Sequence, residues 1–99
     1  MGGIVIDTEK HEVLKGGVTV HLTPKEFDLL VYLCENQGRV LTQRQILSKV
    51  WGPEYVDDAH ILRTFVYQLR TKLAAADPAA AGLIANDPGV GYRLVPAES

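Results

Sequence analysis

In the first 22 residues, short apolar runs are punctuated by turn signals. Ile4 and Ile6 flank Val5, the polar DTEK follows, Val13 and Leu14 come next, and after Gly16 and Gly17 the residues Val18, Val20 and Leu22 alternate with Thr19 and His21. This pattern predicts a small antiparallel meander with one apolar face to be covered. From Thr23 the period lengthens. TPKE supplies a capping box, with Thr23 at N-cap, Pro24 at N1, Glu26 at N3, and Leu22 and Phe27 placed as a hydrophobic staple. Phe27, Leu30, Val31 and Cys34 then recur at helical spacing, Leu29 and Leu33 widen the stripe, and Gly38 is the expected C-cap. TQRQ repeats the capping device with Thr42 and Gln45, with Leu41 and Ile46 as staple, and starts a short helix that Gly52 and Pro53 stop.

A third helix is predicted over about 58–76. Asp57 or Asp58 can cap it, and Pro78 cannot prolong it. Its stretch HILRTFVYQLRTKL places Ile61, Leu62, Phe65, Val66, Leu69 and Leu73 within an arc of about 140°. That is the core face. The opposite face carries His60, Arg63, Thr64, Tyr67, Arg70 and Thr71, with Gln68 and Lys72 at one border, and no carboxylate at all. The alanine-rich AAADPAAAG reads as a connector. LIANDPGVGYRLV then reads as a β-hairpin whose Pro88 and Gly89 suit a type II turn.

Composition narrows the class. The 99 residues, 46% of them hydrophobic, suffice for one domain with one core. Neither an apolar run of about 20 residues nor a signal peptide is present, which predicts a soluble, cytoplasmic chain with no membrane partner. The lone Cys34 sits in an apolar stripe, where packing explains it, and His11, His21 and His60 are too dispersed to share a metal. No nucleophile, base and orienter group together, so an enzyme is not expected, and no cofactor is implied. GVG is too short for a dinucleotide fingerprint and belongs to the hairpin turn.

The net charge of −2 conceals an uneven distribution. Residues 1–37 balance to −3, residues 38–73 to +3 and residues 74–99 to −2. All three acids of the basic third (Glu54, Asp57, Asp58) lie in the loop before the third helix, so its helices are purely cationic. A short helix, a turn, a longer basic helix and a hairpin is the order of a winged helix, in which the longer helix enters the major groove. Arg63, Gln68 and Arg70 suit base edges, and Thr64, Tyr67 and Thr71 suit phosphates or thymine methyls. Trp51 fits a plug at the core edge, with an indole N–H able to reach a phosphate. The rival reading uses the same fold as a protein-interaction module whose cationic face binds an acidic partner.

These motifs carry a resemblance. Over nearly its full length the chain resembles the C-terminal DNA-binding effector domain of OmpR/PhoB-type response regulators. LTPKEFDLLVYLCENQGRVLTQRQILSKVWG matches the first two helices of that domain, LRTKL its recognition helix and GVGYRL its wing. WGPEY, Leu62 and Arg63 look most like the KdpE branch, which regulates potassium-uptake operons. The fold implied is α+β, a winged helix-turn-helix with a four-stranded N-terminal antiparallel sheet, three helices and a C-terminal β-hairpin wing.

The resemblance implies DNA contacts by His60, Thr64, Tyr67, Gln68 and Arg70 of the recognition helix, and the carboxylate-free face itself adds Arg63, Thr71 and Lys72 as expected contacts. It implies backbone contacts by Trp51, Tyr92 and the start of the second helix at Thr42 and Gln43, beside which Arg93 of the hairpin is also expected to meet the backbone, and an RNA polymerase contact by the loop containing Glu54, Tyr55, Val56 and Asp57. Implied partners are duplex DNA on tandem half-sites, a second copy on that DNA, RNA polymerase, and a sensor histidine kinase acting through a receiver domain. That receiver normally precedes this domain, so the 99 residues are expected to be an excised part, with no phosphoacceptor aspartate among them. Two departures stand out. Arg63 replaces an acid common in relatives, and Asp87-Pro88 replaces the usual arginine before the wing glycine. Specificity is therefore expected to rest on the helix, with little base readout by the wing.

Overall fold

A computed structural model describes residues 4–95, the side chains at 79 and 81 excepted. The meander forms as the alternation requires. Strands β1 (Ile4–Asp7), β2 (Glu12–Lys15) and β3 (Val18–Val20) pair antiparallel in that order. Lys15 pairs with Val18 across Gly16 and Gly17, whose φ of 60° and 80° give the left-handed pair that a two-residue hairpin turn needs. Among the described residues this sheet has three strands, not the four that the resemblance implied.

Both capping boxes close. In α1 (Pro24–Glu35), Thr23 Oγ1 accepts from the Glu26 N–H at 3.3 Å, and Glu26 Oε1 accepts from the Thr23 N–H at 2.9 Å. In α2 (Gln43–Val50), Thr42 and Gln45 exchange the same bonds at 3.1 and 2.9 Å. Asp58 caps α3 (Ala59–Ala76), its carboxylate accepting from the Ile61 N–H at the positive end of the helix dipole. The C-cap of α1 is Asn36 rather than Gly38. Gly38, at φ 83°, instead turns the chain so that its N–H reaches the Leu94 carbonyl at 2.9 Å. The alanine-rich connector is a 3-10 helix, Pro78–Gly82, that buries Ala80.

A second sheet ties the start of the second helix to the C-terminal hairpin. Strands β5 (Ile84–Asp87) and β6 (Gly91–Leu94) form the hairpin, and a two-residue strand, β4 (Leu41–Thr42), adds to β6 to give the order β4-β6-β5. The turn between β5 and β6 closes with the Val90 N–H on the Asp87 carbonyl at 2.9 Å and Gly89 at φ 75°, the position of a type II turn that glycine fills. Gly91 has a different reason to be glycine. A Cβ there would stand 1.8 Å from the Leu41 carbonyl oxygen, so only a bare backbone lets β4 approach.

One core joins these parts: Leu29, Leu30 and Leu33 of α1, Ile46 and Leu47 of α2, Leu62, Leu69 and Leu73 of α3, with Val13 and Leu94 from the two sheets. Each such side chain contributes about 1.5–3 kcal/mol on burial. The α3 stripe is narrower than its wheel, because Ile61 and Phe65 are only half-buried. Phe65 packs edge-on against Trp51, with ring centroids 5.0 Å apart, across the junction of α2 and α3. Lys15, 7% exposed, bonds the Asp77 carboxylate at 2.8 Å and ties the first sheet to the end of α3. Among the described residues no helix is long and apolar enough to cross a membrane.

Candidate nucleic-acid interface

The outward side of α3 keeps the composition that the periodicity gave it. His60, Arg63, Tyr67, Gln68 and Thr71 are exposed, Tyr67 at 70%, and Thr64 is half-buried. The Thr71 hydroxyl donates to the Tyr67 carbonyl at 2.9 Å, which leaves its oxygen free to accept. Four residues spaced along the other side (Leu62, Val66, Leu69, Leu73) are at most 1% exposed and fix the rotation of the helix. A carboxylate-free, partly aromatic face is thus presented at a set angle.

The three cations of α3 divide unequally. Arg63 has no hydrogen bond or ion pair among the described residues. Arg70 lies down against the hairpin, Nε and Nη2 both donating to the Ile84 carbonyl at 3.1 and 2.7 Å. Lys72 turns inward and donates to Glu26 Oε1, a carboxylate on α1 that is 1% exposed. Burial alone would raise the Glu26 carboxyl, but the bonds from Lys72 and the Thr23 N–H outweigh it and hold it below its ordinary value. Arg70 and Lys72 were both expected on the DNA-facing surface. Their cationic heads instead join α3 to β5 and α1, because each finds a buried or strand-edge acceptor within reach.

Around the helix the start of α2 and the wing form one unit. Thr42 pairs with Gly91, and the Gln43 N–H meets the Val90 carbonyl at 3.3 Å, so α2 begins beside the hairpin turn. Arg93 is half-exposed on the same hairpin. Tyr92, expected against the DNA backbone, is 6% exposed and belongs to the core cluster, since strand alternation turns it with Ile84 and Leu94 to the inner face. Trp51 is half-buried against the core, as a plug at its edge. The loop between α2 and α3 contains a 3-10 turn, Pro53–Tyr55, and exposes Glu54, Tyr55 and Asp57, with Val56 half-buried. Asp57 pairs with Arg44 at 2.7 Å on an exposed surface, a contact worth at most about 1 kcal/mol.

Sequence reasoning did not find Glu26 as the inner partner of α3 or Ile84 as the acceptor of Arg70. The capping box pointed only to the role of Glu26 at its own helix start. No periodicity signals a partner 46 residues away.

Comparison with known proteins agrees with this architecture. The family model described as "Transcriptional regulatory protein, C terminal" matches residues 17–94. The KDP operon transcriptional regulatory protein KdpE of Escherichia coli (strain K12) is 44% identical over 92 residues, covering 93% of this chain and 40% of the relative. Sensory transduction protein RegX3 of Mycobacterium tuberculosis is 45% identical over 93 residues, covering 94% and 40%. The chain therefore spans about 40% of the length of these relatives. Among solved structures, the DNA-binding domain of CpxR from E. coli superposes with a TM-score of 0.85 at 26% identity, over 99% of this chain and 95% of that one. The Klebsiella pneumoniae RstA DNA-binding domain, solved in complex with the RstA box, gives 0.84 at 25% identity, over 97% and 94%. Matched by that family model over residues 17–94, the chain belongs to the family of OmpR/PhoB-type transcriptional regulatory C-terminal domains.

Proposed function

We propose that this domain binds duplex DNA sequence-specifically, with α3 in the major groove, as the output domain of a two-component response regulator. The observation that carries the proposal is the exposed α3 face, where Arg63, without a partner among the described residues, stands with His60, Thr64, Tyr67, Gln68 and Thr71 on a face that carries no carboxylate. A guanidinium of this kind reads guanine through two parallel donors, and a glutamine can do the same for adenine. Thr42 and Gln43 flank that face as contacts to the phosphate backbone, with Arg93 beside them on the hairpin. Arg70 and Lys72 act mainly by holding the helix, with any phosphate contact secondary to their internal bonds.

Two copies on tandem half-sites are the expected bound form, since one domain offers few phosphate contacts and linkage of two raises affinity without new ones. The exposed Glu54, Tyr55 and Asp57, with Val56, form the surface proposed for RNA polymerase, and a sensor kinase would act through a receiver domain on the same polypeptide. Potassium-uptake genes are the first targets to test, given the KdpE relative, although RegX3 is equally similar. The deciding experiment is selection of bound fragments from a random duplex pool, with the domain alone and artificially dimerised. A single enriched motif, doubled in the dimer, supports the proposal. Absence of any motif in both formats overturns it and favours a protein partner of acidic character.

A further inference from the structure

The wing contains an acid where its one cation needs to be free. Between Ile84 and Val95 the only charged residues are Asp87 and Arg93. The register pairs Ala85 with Arg93 and Asp87 with Gly91, so both charged side chains stand diagonally on one face of the hairpin. Arg93 Nε and Asp87 Oδ2 are 3.7 Å apart and, among the described residues, neither atom has a hydrogen-bond partner, while the two side chains as wholes stay 41% and 31% exposed. That separation is too long for a hydrogen bond and contributes little to stability. Its main consequence is electrostatic, because the carboxylate cancels the guanidinium before any phosphate arrives.

We propose that Asp87 is a negative determinant of DNA affinity that acts through Arg93, so that the wing meets the duplex electrically neutral and discrimination is left to α3. This rests on the DNA-binding reading above and deepens it. Phosphate contacts carry no sequence information. A wing cation released from its acid would strengthen binding to every sequence alike, and holding it back keeps non-specific affinity low relative to specific affinity.

The test uses Asp87→Asn, which keeps the shape and removes the charge, in the natural background and in an Arg93→Gln background. Affinity is measured against salt on the site selected by the natural domain and on a scrambled duplex of equal length. Asp87→Asn is expected to tighten both complexes by about two- to fivefold, the range of an exposed ion pair. It is also expected to steepen the log-log salt slope by about 0.9, the signature of one more neutralised phosphate. With Arg93→Gln present, neither change should occur. Equal tightening in both backgrounds means that Asp87 repels phosphates directly and overturns the role assigned to Arg93. No change, or weaker binding, in the natural background also overturns it. If the natural domain selects no site, the DNA reading itself fails and this inference with it, a result distinct from a selected site that ignores Asp87.

Discussion

Replacing Lys72 by Met separates a structural cation from a DNA-binding one, because the methionine keeps most of the aliphatic stem and loses only the charge. In the native domain Glu26 Oε1 accepts both Lys72 Nζ and the Thr23 N–H, and Glu26 is 1% exposed. Breaking a fully buried pair costs about 3–5 kcal/mol and an exposed one at most about 1. The Lys72 side chain is 37% exposed, so solvent screens one end of this pair and the expected loss is about 2 kcal/mol. For a domain of this size that lowers Tm by roughly 10 °C. The sign with pH follows from the depressed Glu26 carboxyl. Its contribution is complete above the unfolded value of about 4.3 and is lost as pH falls through the lower folded value. The stability gap between native and Lys72→Met domains should therefore be full at neutral pH and narrow as pH falls below the unfolded value and through the depressed folded one. Thermal melts across pH, with DNA titrations against salt, measure both halves. An unchanged Tm together with a salt slope flattened by about 0.9 would refute the reasoning and make Lys72 a phosphate ligand.

Three further outcomes follow from the geometry. Gly91→Ala would place a methyl 1.8 Å from the Leu41 carbonyl oxygen; separation of β4 from β6 should destabilise by at least about 3 kcal/mol in urea, and native-like stability would contradict the close approach. Arg70→Met removes both donors to the Ile84 carbonyl; it should cost about 1.5–3 kcal/mol and speed amide exchange in β5 and β6 more than in α1, a selectivity that uniform protection would disprove. Burial pushes the Cys34 thiol up to about 11, so alkylation at pH 8 should follow unfolding; rapid labelling of the native domain would show that the site opens locally.

The parts of the fold legible in the sequence are those whose chemistry is local. Thr23 with Glu26 and Thr42 with Gln45 act over three residues, and Pro88-Gly89 fixes its own turn, so each pattern names its structure directly. The α3 wheel also located the buried stripe, though Ile61 and Phe65 at its border stay half-buried, Phe65 edge-on against Trp51. Long-range pairing was not legible. A helical wheel gives the direction of Arg70 and Lys72 from the axis, but not that flexible stems bend back to Ile84 and Glu26. The inward facing of Tyr92 depends on the phase of β6, which its pairing with the two-residue β4 helps to set, and so short a strand has no readable period. Lys15, a charged residue in a strand, gave no sign of the distant Asp77 that permits its burial.

Arg63 is the α3 cation left without an internal partner among the described residues, and it carries the central claim that this face reads the major groove. The most direct measurement is a paired selection from one random duplex pool with the native and Arg63→Asp domains, both dimerised. A guanidinium that reads a base edge is worth about 1–3 kcal/mol of discrimination, roughly five- to 150-fold at the position it contacts. The predicted result is a motif in which that one position of each half-site changes its preferred base while the others persist. Two superimposable motifs of equal strength would contradict the account.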